Sequence, residues 1–280
     1  MSSERVFVLG AGRAGLGLAR ALRASGVRVV GVHGRHALEG SNDISIGTLP
    51  PSLHEASATL VAVRDTQLEG ALRELASAKP APSMVVLHAS GIADPSALDE
   101  LRLVGHPAGT FHPLVPLVDP ARAPEMLRGA TIGIDGDTRA REVAYWLAGR
   151  LGARSLDIPA GEKGRYHAAA VLASNFPAVL LSLAEELLAR IGVAPADARL
   201  ALRPLLLSAA ENLRQRSGAE AMTGPIVRGD VDTIRSHLEA LIDDPIALDV
   251  YRSLSRAAVE VASAGGTDPG AMSRIRALLG

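Results

Sequence analysis

The alternation of apolar and polar positions changes rhythm once along the chain. Up to about residue 158, short apolar runs of strand length alternate with segments whose apolar residues recur at helical spacing. Arg5 to Leu9 reads as a strand. The helix that follows has Leu16, Leu18, Ala19 and Leu22 on its apolar side and a stop at Gly26. Val27 to Val32 is a second strand. "ATLVAVRD" is a buried strand ending at Asp65, which is placed to cap the helix "TQLEGALRELA". "SMVVLHASG", short strand material around Leu103 and Gly109 to Phe111, "GATIGIDGD" and "ARSLDIP" continue the series. The helix "TRAREVAYWLAGRLG" lies before the last of these. After Pro159 the period is helical throughout, punctuated by Gly192, Pro195, Pro204, Gly218, Pro245 and Gly265. This pattern predicts an α/β fold: a doubly wound parallel sheet over residues 1–158, then an all-helical domain over 159–280.

Within the helical half, "EKGRYHAAAVLASNFPAVLLSLAEELL" (Glu162 to Leu188) reads as one long helix built for burial, with a kink at Pro177. Lys163, His167 and Asn175 recur at spacings of four and eight and share a face. Such a polar stripe on an apolar helix points either to a cleft or to polar groups that satisfy one another between packed helices.

Composition narrows the field. The chain has 280 residues, 48% of them hydrophobic, with a net charge of −1, so an ordered protein with a large core is expected. That balance favours neither nucleic acid nor an anionic membrane as a partner. Lys79 and Lys163 are the only lysines, which marks Lys163 out. Without cysteine there is no disulfide, thiolate catalysis or thiolate metal site. No charged leader and no 18-residue apolar span stands out. A cytoplasmic location is expected.

The first chemical motif is "GAGRAG", in which Gly10, Gly12 and Gly15 form G-x-G-x-x-G between a strand and a helix. The first glycine permits the tight turn. The second lets backbone approach a pyrophosphate, and the third lets helix and strand pack closely. Arg13 and Ala14 complete the turn, and Val63, Arg64 and Ser90 follow later strand ends on the expected cofactor side. A site for NAD usually has Asp or Glu about 20 residues on, at the end of the second strand. Here the chain reads "HGRH", and Arg35 suits a 2′-phosphate, so NADP(H) is favoured over NAD(H). An ordinary solvated loop at Arg35 and His36 is the competing reading.

Other candidates cluster at strand ends and helix breaks. His88 and Ser90 close the strand "VVLHASG", where open sheets bind ligands. His106 and His112 each precede proline. They lack a third ligand at convincing spacing, so no metal is expected, and His112 is read as a substrate-pocket residue. Thr223 and Arg228 flank the helix break "TGPIVRGD". Arg228 could hold a substrate carboxylate, or could join Asp230 in an ion pair or helix cap.

Taken together, "GAGRAGLGLA", "VVLHASG", "GTFHPLVPL", "YHAAAVLASN" and "MTGPIVRGDVDTIRSHL" resemble the Rossmann-like proteins that carry the helical domain of unknown function 2520. That family is similar to ketopantoate reductases, β-hydroxyacid dehydrogenases, pyrroline-5-carboxylate reductases and deazaflavin-dependent NADP oxidoreductases. The resemblance implies a nicotinamide-dependent oxidoreductase that dimerises through its helical domain. In β-hydroxyacid dehydrogenases and ketopantoate reductases a catalytic lysine stands four residues before an asparagine. Asn175 matches the asparagine, but Val171 occupies the lysine position. His167, one turn further back, is then the candidate proton donor, with Asn175 bonding the substrate oxygen and Lys163 as substrate contact.

The expected activity is hydride transfer between NADP(H) and a small carbonyl or imine acid. A ketopantoate reductase-like activity and a non-catalytic nucleotide-binding sensor or scaffold are the alternatives.

Overall fold

The computed structural model describes residues 4–36 and 43–280, which divide into two compact units, Met1–Ser174 and Asn175–Gly280. In the first unit the chain runs β1 (Arg5–Leu9), α1 (Arg13–Ala24), β2 (Arg28–His33), β3 (Ile44–Ser45), β4 (Ala58–Val61), α2 (Asp65–Ser77), β5 (Val85–His88) and α3 (Asp99–Leu103). It continues through β6 (Ala108–Pro113), α4 (Ala123–Leu127), β7 (Thr131–Gly136), α5 (Thr138–Arg150), β8 (Arg154–Asp157) and α6 (Lys163–Ser174). The eight strands form one sheet in the order β3-β2-β1-β4-β5-β6-β7-β8. The first six repeat the 3-2-1-4-5-6 order of dinucleotide-binding sheets, whose direction reverses between β1 and β4.

Alternation along β1 shows why the sheet is covered on both faces. Val6 and Val8 join a core with Leu18, Leu22, Val143 and Leu147 of α1 and α5. Phe7 and Leu9 join a second core with Leu68, Leu72 and Leu75 of α2. All four side chains are buried, as a two-sided parallel strand requires.

The expected doubly wound α/β fold with a helical C-terminal portion is what the structure has, and local details differ. The sheet is mixed, because β6 and β7 pair antiparallel while every other neighbouring pair is parallel. Leu103 ends helix α3 instead of forming strand; its segment carries Asp99 and Glu100 in the first turn, which suit a helix N-terminus. Asp65 is the first residue of α2, not its cap. The cap position belongs to Arg64, and no side chain caps it. Helices do take over after residue 158, but the first compact unit extends to Ser174 and so includes α6.

The second unit holds α7 (Phe176–Arg190), α8 (Pro195–Gln215), α9 (Gly218–Ala221), α10 (Pro225–Arg228), α11 (Val231–Ala240), α12 (Pro245–Ala264) and α13 (Pro269–Leu279). Its core is made by Ile234, Leu238, Val259, Met272, Ile275 and Leu279 of α11, α12 and α13. Asp230, Asp244 and Asp268 each cap a helix through a side-chain oxygen. By contrast α7 and α8 pack on each other and leave much apolar surface open: Leu205 and Leu207 are 66% and 70% exposed.

The expected burial of the Glu162–Leu188 helix is therefore corrected. Lys163 is the one buried residue of α6, and α7 has none. The expected absence of a long apolar span is corrected too. Lys163–Arg190 is long and apolar enough to cross a membrane by length and composition. His167 and Asn175 lower its hydropathy, but the Leu, Val and Ala residues around them outweigh the loss.

Candidate functional site

The glycine turn lies at the β1/β4 reversal. Gly10 has φ +122°, and a Cβ there would come within 2.2 Å of the Ala62 carbonyl oxygen just beyond β4. A Cβ on Gly15 would meet the Gly10 carbonyl oxygen at 1.9 Å. Gly12, in contrast, faces open space and stands as the uncapped N-terminal residue of α1. Two glycines are thus demanded by packing, and the third leaves the helix N-terminus clear for an anion. This is the geometry a dinucleotide pyrophosphate requires.

Around this turn stand Arg13 on the first residue of α1, Arg64 before α2 and Arg35 beyond β2. All three are exposed. Among the described residues none of them has a hydrogen bond or ion pair. Ala14 is exposed beside Arg13, and Val63 reaches to within 3.2 Å of the space a Gly10 side chain would take.

The end of β2 also holds a residue that sequence reading passed over. His33 is buried, with Nδ1 2.9 Å from Ser45 Oγ and Nε2 3.9 Å from Glu74. Burial lowers its pKa, and Glu74 opposes the shift. Among the described residues at this strand end, Arg35 and His36 follow β2 and neither is a carboxylate.

A second cluster forms at the carboxyl ends of β5 and β6, where the register pairs His88 with Thr110. Lys163, at the start of α6, is only 2% exposed and donates from Nζ to the Ser90 carbonyl oxygen at 3.1 Å. It also lies 3.5 Å from Thr110 Oγ1, which in turn is 3.3 Å from His88 Nε2. Among the described residues no carboxylate is within ion-pair distance of Lys163. Burial therefore pulls its amine down to about 8, with Asp135, Asp94 and Asp65 opposing from further away. Burial, reinforced by the Lys163 charge, brings His88 down to about 3 and His112 down to about 4. Both rings are neutral at pH 7.

Ser90 also shapes its own turn, accepting N–H groups from Ile92 and Ala93 through Oγ at 3.3 and 2.9 Å. The next residue must be small. A Cβ on Gly91 would fall 2.3 Å from His167 Nδ1 and 2.9 Å from His112 Cε1. The His112 and His167 rings meet edge to face with centroids 6.0 Å apart. Tyr166 adds a phenol 2.8 Å from His112 Nδ1, and sequence reading had missed it. Its signal was available only as one polar ring beside His167, with nothing to reveal the cross-chain partner.

The structure thus joins His88, Ser90, His112, Lys163 and His167 in one unit. Asn175, Thr223 and Arg228 belong to the second unit, and all three are exposed. Asp230 caps α11 through Thr233, the capping role weighed for it beside Arg228.

Comparisons with known proteins agree with this picture. Residues 130–258 match the family described as Domain of unknown function (DUF2520), which bears out the resemblance read from the sequence. No curated protein matches the chain. Among solved structures, protein TM1727 from Thermotoga maritima is similar at 22% identity and a TM-score of 0.73, covering 93% of this chain and 99% of that one. A putative NADP oxidoreductase, BF3122 from Bacteroides fragilis, is similar at 24% identity and a TM-score of 0.67, covering 91% and 97%. The pyrroline carboxylate reductase of Plasmodium falciparum, solved with NADP bound, shares 11% identity over the full length of both chains, with a TM-score of 0.59. The fold these structures share is a Rossmann-type sheet followed by helices.

Proposed function

We propose that this protein is an NADP-dependent reductase or dehydrogenase acting on a small carbonyl or imine acid. One observation carries the reading. The open glycine turn and the Lys163–histidine cluster stand at the same edge of one sheet, the carboxyl ends of β1, β5 and β6. That edge is where such sheets bind ligands. Gly12 and the N-terminus of α1 would hold the pyrophosphate, with Arg13 and Arg64 beside it. Arg35 would hold the 2′-phosphate, and the NADP preference rests on it. When bound, the reduced nicotinamide supplies the hydride.

The chain's own residues then manage charge and protons. His112 and His167 are only partly buried and can face a substrate, whereas His88 and Lys163 are sealed behind them. His167 is the proposed proton donor to the substrate oxygen or nitrogen. Lys163 is a positioning residue: it ties α6 to the Ser90–Gly91 turn, and its charge adds to the burial that keeps His88 and His112 neutral. Val171, where β-hydroxyacid dehydrogenases and ketopantoate reductases carry lysine, favours a second reading, a nucleotide-binding sensor without turnover.

The deciding experiment is titration with NADPH and NADH by nicotinamide fluorescence, followed by a turnover screen of 2-keto acids and cyclic imines. Selective NADPH binding with turnover supports the reductase. Binding without turnover supports the sensor, and no binding of either nucleotide refutes both.

The protein is also proposed to be a cytoplasmic homodimer whose second copy covers the apolar faces of α7 and α8. Phe176, Val179, Leu205, Leu207 and Leu213 would otherwise meet water. Sedimentation should give a dimer mass at micromolar concentration, and Leu205→Asp with Leu207→Asp should give a monomer. A monomer that floats with lipid vesicles would instead assign this face to a membrane.

A further inference from the structure

We propose that Tyr166 fixes His112 in the tautomer with its proton on Nε2, leaving that N–H free to donate to a bound carbonyl oxygen or imine nitrogen. The substrate part of this inference rests on the reductase reading; the tautomer does not. It begins with a close contact, the 2.8 Å hydrogen bond between the Tyr166 hydroxyl and His112 Nδ1. Either group could in principle donate. A phenol is the stronger donor, and a bare imidazole nitrogen is the stronger acceptor. Burial pushes the Tyr166 phenol above its ordinary pKa, so it keeps its proton. Burial and the nearby Lys163 charge keep His112 neutral, so it carries a single proton. With Nδ1 accepting, that proton resides on Nε2.

The surroundings hold this arrangement in place. β6 and β7 pair His112 with Gly133, and a Cβ on Gly133 would come within 2.2 Å of the Tyr166 hydroxyl oxygen. A glycine across the strand from His112 is therefore what admits the phenol. Gly91 performs the same service on another side, where a Cβ would lie 2.9 Å from His112 Cε1. Lys163 sits 5.7 Å from the centre of the Tyr166 ring, and the two rings meet at 81°. His112 Nε2 has no hydrogen-bond partner among the described residues, and the residue is only partly buried, which leaves this N–H available to a substrate. An open N–H on a neutral ring can stabilise charge growing on a substrate oxygen without giving up its proton. His112 would then be a catalytic residue and Tyr166 a positioning residue.

Long-range ¹H–¹⁵N correlation spectra of histidine-labelled protein at pH 7.5 test the tautomer, with His112→Gln identifying the signal by its loss. The wild type should show one tautomer with Nε2 protonated. Tyr166→Phe should give a mixture at His112 while leaving His33 unchanged. Gly133→Ala, which displaces the phenol without removing it, should do the same and guards against misfolding of the first variant. A proton on Nδ1 in the wild type, or unchanged signals in both variants, would overturn the proposal. In the turnover screen His112→Gln, which keeps a donor near the Nε2 position, should stay within about tenfold of wild type, whereas His112→Asn should lose about 100-fold. Equal losses would remove the donor role. If NADPH does not bind at all, the reductase reading falls while the spectra still decide the tautomer.

Discussion

Two groups of cations stand at one edge of the same sheet and are treated in opposite ways. Arg13, Arg35 and Arg64 are exposed around the glycine turn and, among the described residues, have no ion-pair partner. Lys163 is buried among His88, Thr110 and His112, and its nearest partners are a carbonyl oxygen and a hydroxyl. Solvated guanidinium groups cost little to maintain and remain available for a phosphate that arrives from solution. A buried amine without a counter-ion is costly, and it imposes its charge on every titratable neighbour. Exposure suits recognition, and burial suits control of protonation.

The strongest way to break this contrast is at the buried side. His167→Ala should lower kcat by about 100-fold or more, since a positioned acid is worth that much, while the NADPH Kd stays unchanged. Steady-state kinetics beside a fluorescence titration would show the separation. A parallel loss of nucleotide affinity would argue against two distinct regions.

At the exposed side, Arg35→Ala should weaken NADPH by about tenfold and leave NADH within about twofold. Calorimetric titration of both nucleotides checks this. Equal weakening would mean that Arg35 does not read the 2′-phosphate.

Acid sharpens the comparison through stability. The folded-state pKa values of His88 and His112 lie below the ordinary 6.5, at about 3 and about 4. The unfolded chain therefore binds more protons than the folded one between pH 6.5 and those values. Stability is highest above 6.5 and is lost as pH falls. Tm should drop by about 5–10 °C between pH 7 and pH 5, a fall that scanning calorimetry would detect. His88→Gln with His112→Gln should flatten the slope.

The smallest effect concerns Lys163 itself. Lys163→Met removes an unpaired buried charge, so Tm should stay within about 3 °C of wild type or rise. His112 should at the same time titrate at somewhat higher pH by NMR, because burial still depresses it but the Lys163 charge that adds to burial has gone. A large loss of stability would mean that the bond to the Ser90 carbonyl oxygen holds the unit together.

Local patterns carried most of the fold. Alternating strand and helix periods, with the glycines at positions 10, 12 and 15, specify a dinucleotide-type sheet because each depends on residues adjacent in sequence. The position of Arg35 just beyond β2 was legible for the same reason, at a fixed distance along a βαβ unit. The shared face of Lys163 and His167 follows from helical geometry alone.

The tertiary structure decided what those residues meet. His112 lies 54 positions from Tyr166, and Lys163 lies 73 positions from Ser90. No periodicity spans such distances. The antiparallel pairing of β6 with β7 brings Gly133 opposite His112, making the gap that the Tyr166 phenol enters. The burial of Lys163 and the exposure of α7 were likewise not written in their own residues. An apolar helix in sequence is a demand for a partner, and only the packed chain shows whether that demand is met from within.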